Sequence, residues 1–490
     1  MKNLKFFFII FFIPSVVFSD AFEMNRKIGR GINMGNMLEA PKEGEWGVVL
    51  KEEYFDIIKK RGFQSVRIPI RWSTEERTSR KKPYKISEDF FRRIDRALDR
   101  ALSLGLTVII NCHHYDELFR DPDSEEERFK AIWEQIAARY KNRPNNLYFE
   151  ILNEPNGRLD AARWNKLYQE VLKIIRRTNP DRIVVIGTSD WGGIGGLRNL
   201  KLPLDDKNII VTIHYYNPFS FTHQGAEWVG EQSKNWLGTK WTGDYFEKIA
   251  VISEMEVISD FSKKNNVPIF IGEFGSYEKA DIKSRQLWTA FCARTFERFN
   301  FSWAYWEFCS GFGAYDSSLN RWREEIASSL ISDDTSVLTL PPPPEIKGRN
   351  IVMNGDFSEK TQNWTFGAWV GKAEGYVTNG AFKVVIQDAG KENWNIQLLQ
   401  TGLNLKNGKS YLVTFEAWAE CVRNFSSGIE NSENYSGYGN SGELFAGPEK
   451  KTYLYKFTKY GNDPKGRISF SFGGDPTTIW IDNVKVIEIE

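Results

Sequence analysis

Between residues 29 and 333 eight apolar runs alternate with stretches of helical period. The runs are RGINMG (30–35), SVRIPI (65–70), LTVIINCHH (106–114), NLYFEILNEP (146–155), RIVVIGTS (182–189), NIIVTIHYYNP (208–218), PIFIGEFG (268–275) and FSWAYWEF (301–308). Unbroken apolar runs of this length read as parallel strands buried on both faces. Amphipathic stretches at 52–61, 88–104, 125–140, 162–178, 247–264, 282–299 and 323–331 supply the helices between them. Eight strands interleaved with helices predict an α/β fold, a (β/α)₈ TIM barrel, over residues 20–334. A doubly wound open sheet is the alternative. It would carry a Gly-rich phosphate turn after an early strand, and RGINMGN is a poor match to GxGxxG.

The texture changes after residue 333. Four consecutive prolines (341–344) lie in a segment, 335–348, that predicts a stiff extended linker. Residues 349–490 then show short alternating runs and turn clusters with no useful helical period, which predicts an all-β jelly-roll sandwich domain. At the other end, Lys2 and Lys5 precede an apolar core and Val17-Phe18-Ser19 fits a small-residue cleavage site. Residues 1–19 therefore read as a signal peptide, with the mature chain starting near Asp20, and predict a secreted protein. The apolar stretch is short for a membrane span, and none follows it.

Lys+Arg 65 against Asp+Glu 64 offers nothing to nucleic acid or to an anionic membrane. Aromatic residues make up 14% of the chain, a composition suited to flat neutral sugars. Cys112, Cys292, Cys309 and Cys421 are widely spaced and read as small buried thiols rather than metal ligands.

The fourth run ends in Asn153-Glu154-Pro155 and the seventh delivers Glu273. In a barrel the C-terminal strand ends converge at one face, which brings these two glutamates together. Paired carboxylates roughly 5 Å apart cleave a glycosidic bond with retention, through a covalent intermediate, and a wider pair inverts. Glu154 is assigned as acid/base and Glu273 as nucleophile. Three of the four histidines, His113, His114 and His214, stand at strand ends, and His223 follows the sixth strand. They could donate hydrogen bonds to sugar hydroxyls and to the carboxylates, or ligate a metal. Adjacent on a strand, His113 and His114 would point to opposite faces, which is poor for chelation. Arg67, a charge inside an apolar run, needs a carboxylate, and Glu273 is the natural partner. Tyr216 could hydrogen-bond the nucleophile, and Trp306 could floor the sugar site.

The segments GINMGNMLEAPKEGEWG (31–47), VRIPIRWS (66–73), NCHHY (111–115), FEILNEP (149–155), VTIHYYNPFSFTHQGAEW (211–228), IGEFG (271–275) and SWAYWEFCSGFGAYD (302–316) together resemble family 5 glycoside hydrolases of the endo-β-1,4-glucanase type, over roughly residues 24–333. The resemblance implies Glu154 and Glu273 as the catalytic pair. Arg67, His113, Asn153, His214, Tyr216 and Trp306 match further active-site positions. Subsite walls are implied at Asn36, Glu39, His114, His223, Trp228 and Glu307.

The C-terminal segments NIVMNGDFS (350–358), NWTFGAW (363–369), 393–420 and IWIDNVKV (479–486) resemble family 4/9 carbohydrate-binding modules. Such modules hold a glucan chain in a cleft, which implies Trp369, Trp394, Gln397 and Tyr438 as cleft residues. They often carry a structural Ca²⁺, with Asp482 the candidate oxygen ligand here. Trp418 and Trp480 read as sandwich core.

The resulting expectation is a secreted, monomeric, retaining endo-β-1,4-glucanase that needs no cofactor for catalysis. It acts on cellulose and related β-glucans, and the linker lets the barrel reach bonds around a tethered module. A β-mannanase or glucomannanase on the same scaffold is the alternative within the class. A metal-dependent hydrolase and a polysaccharide-binding protein with an inactive barrel are the alternatives outside it.

Overall fold

The computed structural model describes residues 21–203, 205–461 and 465–489. The expected signal peptide, residues 1–19, lies outside the described residues. Eight strands close into a barrel: β1 (Arg30–Asn33), β2 (Ser65–Ile68), β3 (Thr107–Asn111), β4 (Leu147–Glu150), β5 (Val184–Gly187), β6 (Ile209–Tyr215), β7 (Ile269–Phe274) and β8 (Ser302–Tyr305). Neighbours pair parallel around the ring, and β1 pairs with β8 to close it.

In chain order the helices are α1 (Ala21–Ile28), α2 (Glu53–Arg61), α3 (Glu88–Ser103), α4 (Asp116–Arg120), α5 (Pro122–Tyr140), α6 (Ala161–Arg176), α7 (Phe219–Thr222), α8 (Tyr245–Asn265), α9 (Ile282–Arg298) and α10 (Glu324–Ile331). Local chemistry fixes their ends. Ser87 caps α3 by accepting from Phe90 N–H, and that helix buries Phe91, Ile94, Ala97, Leu98 and Ala101 at helical spacing. Asp244 and Glu247 form a capping box on α8, which ends at Asn266 in the left-handed region.

α1 packs Met24 and Ile28 into the same cluster as the barrel residues Ile109, Tyr148, Val185, Ile210 and Phe270. Tyr148 Oη donates to Met24 O at 2.9 Å, and Asn25 Nδ2 to Ile269 O at 2.9 Å. The N-terminal end of the barrel is thereby plugged, and the open end is the one where the strands deliver their C-terminal residues.

One crossover departs from the expected alternation. Between β5 and β6 the chain makes a 3₁₀ turn, Ile194–Asn199, in place of an α-helix. The run Trp191-Gly-Gly-Ile-Gly-Gly explains it, since each glycine disfavours a helix by about 1 kcal/mol relative to alanine. Gly196 is required at its position, because a Cβ there would lie 2.2 Å from Ser189 O.

Residues from Ile346 onward form two antiparallel sheets packed face to face. One orders Lys372–Thr378, Ala381–Asp388, Ile479–Ile489, Ser410–Ala419 and Lys451–Thr458; the other orders Thr365–Ala368, Ile396–Leu403, Gly466–Ser471, Arg423–Asn431 and Gly437–Asn440. The core between them holds Phe382, Val413, Phe415, Phe470 and Ile481. Trp418 and Trp480 are not in it. On strand Ser410–Ala419 the odd-numbered residues from Tyr411 to Ala419 face the core, so Trp418 points outward. It stacks on Trp480 at 5.8 Å, with Lys450 and Lys383 over the two rings.

The module is docked on the barrel. Its Val422 and Phe445 belong to the barrel's own hydrophobic cluster. Lys451 pairs with Asp260 of α8 at 2.8 Å, and Arg198 pairs with Asp475. The linker is also held, because Lys248 Nζ donates to Val337 O and Thr339 O at 2.8 Å.

Candidate active site

Arg67, on β2 and fully buried, organises the floor of the open end. Its Nε and Nη2 donate to the two oxygens of Glu150 at 2.6 and 2.7 Å. Nη1 donates to Glu273 Oε1 at 2.7 Å and to Asn33 Oδ1 at 2.8 Å, and Nη2 also reaches Asn153 Oδ1 at 2.7 Å. The expected Arg67–Glu273 pair is therefore present. Glu150, the bidentate partner, is absent from the reading of the sequence. Its only signal was an acid inside a run whose neighbours are all buried. Asn111 completes this layer, with Nδ2 3.0 Å from His113 Nδ1 and 3.3 Å from Glu150 Oε1.

Glu273 has both oxygens occupied. Arg67 donates to one and Tyr216 Oη donates to the other at 2.9 Å. Glu154 sits just past β4 with φ 45°, an unusual backbone for a non-glycine residue and one that recurs at functional sites. Its side chain is 23% exposed, against 6% for Glu273. His214 stands between them, with Nδ1 2.7 Å from Glu154 Oε1 and 3.5 Å from Glu273 Oε2. One ligand atom from each of these three residues lies within 4.8 Å of the others. That spacing could hold an ion, but the Arg67 charge and the Tyr216 proton already occupy the Glu273 oxygens and oppose a cation there.

The electrostatics couple these groups. Burial disfavours the imidazolium of His214, but the Glu273 charge and the Glu154 hydrogen bond outweigh it and raise the group above its ordinary value. Burial raises Glu154, and the His214 hydrogen bond and charge more than reverse this, so Glu154 is lowered. Glu273 is raised by burial against the pull of His214 and Arg67. His214 and Glu154, joined by one hydrogen bond, are thus shifted in opposite directions, the imidazolium favoured on one side and the carboxylate on the other.

The aromatic walls follow. His113 and His114 do not alternate across a strand. Both lie beyond the end of β3, with ring centroids 4.5 Å apart. His113 stacks on Trp306 at 5.8 Å and 7°, and Trp46 meets His114 edge-on at 5.5 Å. His223 stacks on Phe219 at 4.0 Å and meets Tyr216 at 4.9 Å, and burial lowers it to about 4, so it is neutral. Trp228 stands 62% exposed on the rim, edge-on to Tyr277. Trp46, Phe219 and Tyr277 are not among the residues the sequence singles out, since each lies in a connecting segment whose position over the site only the fold reveals.

Two expected subsite walls are anchors instead. Glu307 is buried and accepts from Cys309 N–H and Ser310 N–H at 2.7 Å and from Phe312 N–H at 3.2 Å. Glu39, equally buried, accepts from Asn36 N–H and from Met37 N–H at 3.0 Å. Burial, with the Glu307 charge adding to it, raises Glu39 to about 8. Both carboxylates brace loops. Asn36 joins the two loops by donating to Ser310 Oγ at 2.9 Å.

In the module, Trp394 and Gln397 line a cleft of about 540 Å³ on the outer face of the second sheet, with Asn424, Ser426 and Glu443. Trp369 Nε1 donates to Gln397 Oε1 at 3.2 Å beside it. Tyr438 is not in this cleft. The pairing slips between Ile429 and Glu430, and the bulge turns Tyr438 onto the module's core beneath Lys459, 3.9 Å from its ring centroid. Asp482, the candidate calcium ligand, accepts from Lys450 Nζ at 2.8 Å, a charge that opposes a cation there. The four cysteines are unpaired.

Comparison with known proteins places this geometry. Residues 28–311 match the model of the cellulases, glycosyl hydrolase family 5. The chain belongs to this family. Residues 349–478 match a carbohydrate binding domain of the 4/9 type. The endoglucanase Cel5A from the hyperthermophilic Thermotoga maritima is 55% identical, with TM-score 0.62, over 64% of this chain and 100% of its own. Cel5A in complex with mannotriose is 54% identical, with TM-score 0.62, over the same shares. Endoglucanase H of Acetivibrio thermocellus is 40% identical over 61% of this chain and 31% of its own length. The chain thus spans about a third of the curated relatives it matches first. The family 5 hydrolases are glycosidases of the TIM-barrel fold, and in this member the barrel's open end holds the two glutamates, Arg67, Tyr216 and the aromatic walls.

Proposed function

We propose that this chain is a secreted endo-β-1,4-glucanase that hydrolyses internal bonds of cellulose and related β-glucans with retention of configuration, assisted by its carbohydrate-binding module. The observation that carries this reading is the Glu154–Glu273 pair, with oxygens within 4.8 Å and unequal surroundings. That spacing suits a covalent glycosyl-enzyme and falls short of the wider separation at which an inverting pair seats its attacking water.

Glu273, oriented through both oxygens, attacks the anomeric carbon. Glu154, more exposed, protonates the departing glycosidic oxygen with the proton held at the His214 hydrogen bond. It then takes a proton from the water that releases the sugar. The Asn153 amide, its oxygen fixed by Arg67, presents its NH₂ to a sugar hydroxyl. Trp306, stacked on His113, offers a ring face to the sugar at the cleavage point. No step calls for a metal or an organic cofactor.

A second reading, β-mannanase or glucomannanase activity on the same machinery, is favoured by the mannotriose complex of the Thermotoga maritima enzyme. The test is a side-by-side assay of the protein on carboxymethyl-cellulose, barley β-glucan, glucomannan and unsubstituted mannan. The anomer released first is read by NMR. Faster viscosity loss on the glucans with a β product supports the proposal. Dominant mannan hydrolysis transfers the substrate assignment to the second reading, and an α product removes the retaining mechanism.

A further inference from the structure

The module's position on the barrel gives it a relation to the catalytic cleft that a tether alone would not. The helix-less crossover after β5 is the bridge. At one end of it, Gly192 lies against the catalytic pair's surroundings, so that a Cβ there would sit 3.5 Å from Glu154 Cγ and 3.4 Å from His214 Cγ. Trp191, beside it, is 63% exposed. Six residues after Gly192, Arg198 donates to Asn424 Oδ1 at 2.9 Å and pairs with Asp475, both in the module. Asn424 is itself a wall of the module's cleft.

A second line of contact leads the same way. A groove of about 610 Å³ runs between the barrel and the module, and Gly442 and Glu443 line both this groove and the module's cleft. On the barrel side the groove reaches Asn217 and Phe219. Phe219 is the ring stacked on His223 in the wall of the active site. Glu443 accepts from Asn424 Nδ2 at 2.6 Å and lies near Asp190, which belongs to the same β5 crossover. The docking surface beneath is apolar, through Val422 and Phe445, and charge-paired, through Lys451–Asp260 and Lys456–Asp244 at 3.0 Å.

We propose that the catalytic cleft and the module's cleft form one continuous binding track for a single β-1,4-linked glycan chain, joined at Trp191, Phe219 and Glu443. The ligand class suits the junction. Exposed aromatic faces stack on pyranose rings, and an acceptor carboxylate reads hydroxyls. The proposal rests on the glycanase reading above. It differs from a tethered module in that one chain occupies both sites at once, so docking geometry matters and not module affinity alone.

Two measurements test it. In the full chain carrying Glu273→Ala, calorimetric titration with cellotriose should find two sites per protein. A long soluble β-glucan oligosaccharide should bind one per protein, about tenfold or more tighter. In the active full chain, Lys451→Glu with Lys456→Glu reverses the charges facing α8, and release of the module is read as a larger radius of gyration by X-ray scattering. This variant should hydrolyse cellotriose as before and lose about tenfold in kcat/KM on long chains. Two long oligosaccharides per protein would overturn the proposal whether or not the variant undocks. So would an undocked variant with undiminished kcat/KM on long chains. Failure of the unaltered protein to hydrolyse any β-glucan would instead remove the underlying reading, and the track with it.

Discussion

Glu150→Gln separates what holds the active site together from what tunes it. Glu150 is fully buried and takes two hydrogen bonds from Arg67, at 2.6 and 2.7 Å. Glutamine keeps the shape, removes the charge and turns an NH₂ toward the guanidinium. Breaking a buried ion pair by altering one partner destabilises by about 3–5 kcal/mol. An unfolding entropy of about 2.1 cal/mol/K per residue over the roughly 310 residues of the barrel makes 1 kcal/mol equivalent to about 1.5 °C, so Tm should fall by about 5–8 °C.

The effect on catalysis has the opposite sense. With Glu150 neutral, the whole charge of Arg67 faces Glu273, and a negative neighbour of Glu273 disappears. Both changes favour the ionised nucleophile. The acid limb of the kcat–pH profile, which reports ionisation of Glu273, should therefore move to lower pH while Tm falls. The assay is hydrolysis of soluble β-glucan across the acid range, well below the lowered Tm, with circular dichroism to establish the fold. An acid limb that stays put or moves to higher pH in a folded variant would refute the claim that Arg67 divides its charge between Glu150 and Glu273.

The remaining expectations concern single groups. Glu154→Ala should lose about 10²–10⁴-fold on cellulose-like substrates and far less on a dinitrophenyl glycoside, whose leaving group needs no proton; equal losses on both would remove the acid role. His214 is raised above 6.5, so activity in the unaltered enzyme should persist above that pH and fall as His214 deprotonates, and His214→Asn should bring the alkaline limb to lower pH. Glu254, half-buried and hydrogen-bonded by Tyr215 and Asn217, is raised to about 7, chiefly by the desolvation of its carboxylate. Its folded value exceeds its unfolded value, so its contribution to stability is complete below the ordinary value of 4.5 and is lost as pH rises through about 7. Glu254→Gln should therefore flatten the decline in Tm between about pH 5 and about pH 8, a decline that calorimetry on both proteins would compare.

The barrel was legible because its signal is local. Each parallel strand is a short apolar run, and the catalytic glutamates stand where two of those runs end, so one dimension of sequence already contained the site. Glu150 was hidden for the same reason that Glu154 was visible. Glu154 is followed by a proline that closes the apolar run, whereas Glu150 lies between Phe149 and Ile151 and needs Arg67, 83 residues away, to explain it. Glu39 and Glu307 are subsite walls only by family resemblance, and in the structure both spend their oxygens on backbone N–H groups. Tyr438 and Trp418 failed on parity. A bulge moved one, and the other lies on the outward side of a strict alternation that a Trp-rich run disguises.

The docked module follows from the linker once its anchored ends are counted. Lys248 holds the chain at Thr339, and Ile346 already pairs with Ile489 in the module's sheet. Only residues 340–345 lie between, and four of them are prolines. At roughly 3.1 Å per residue this span extends about 19 Å, far too little to carry the module around the barrel. Confinement to that radius keeps the effective concentration of the module at its docking face high, so modest contacts suffice to hold it. Burial of Phe445 contributes about 1.5–3 kcal/mol. The half-exposed Lys456–Asp244 pair adds about 1 kcal/mol at most. A stiff short linker, an apolar anchor and two well-buried ion pairs, Lys451–Asp260 and Arg198–Asp475, together make the docked state the natural resting arrangement. The same glycine-rich crossover that failed to form a helix is what brings Arg198 to the module while keeping Gly192 at the catalytic acid.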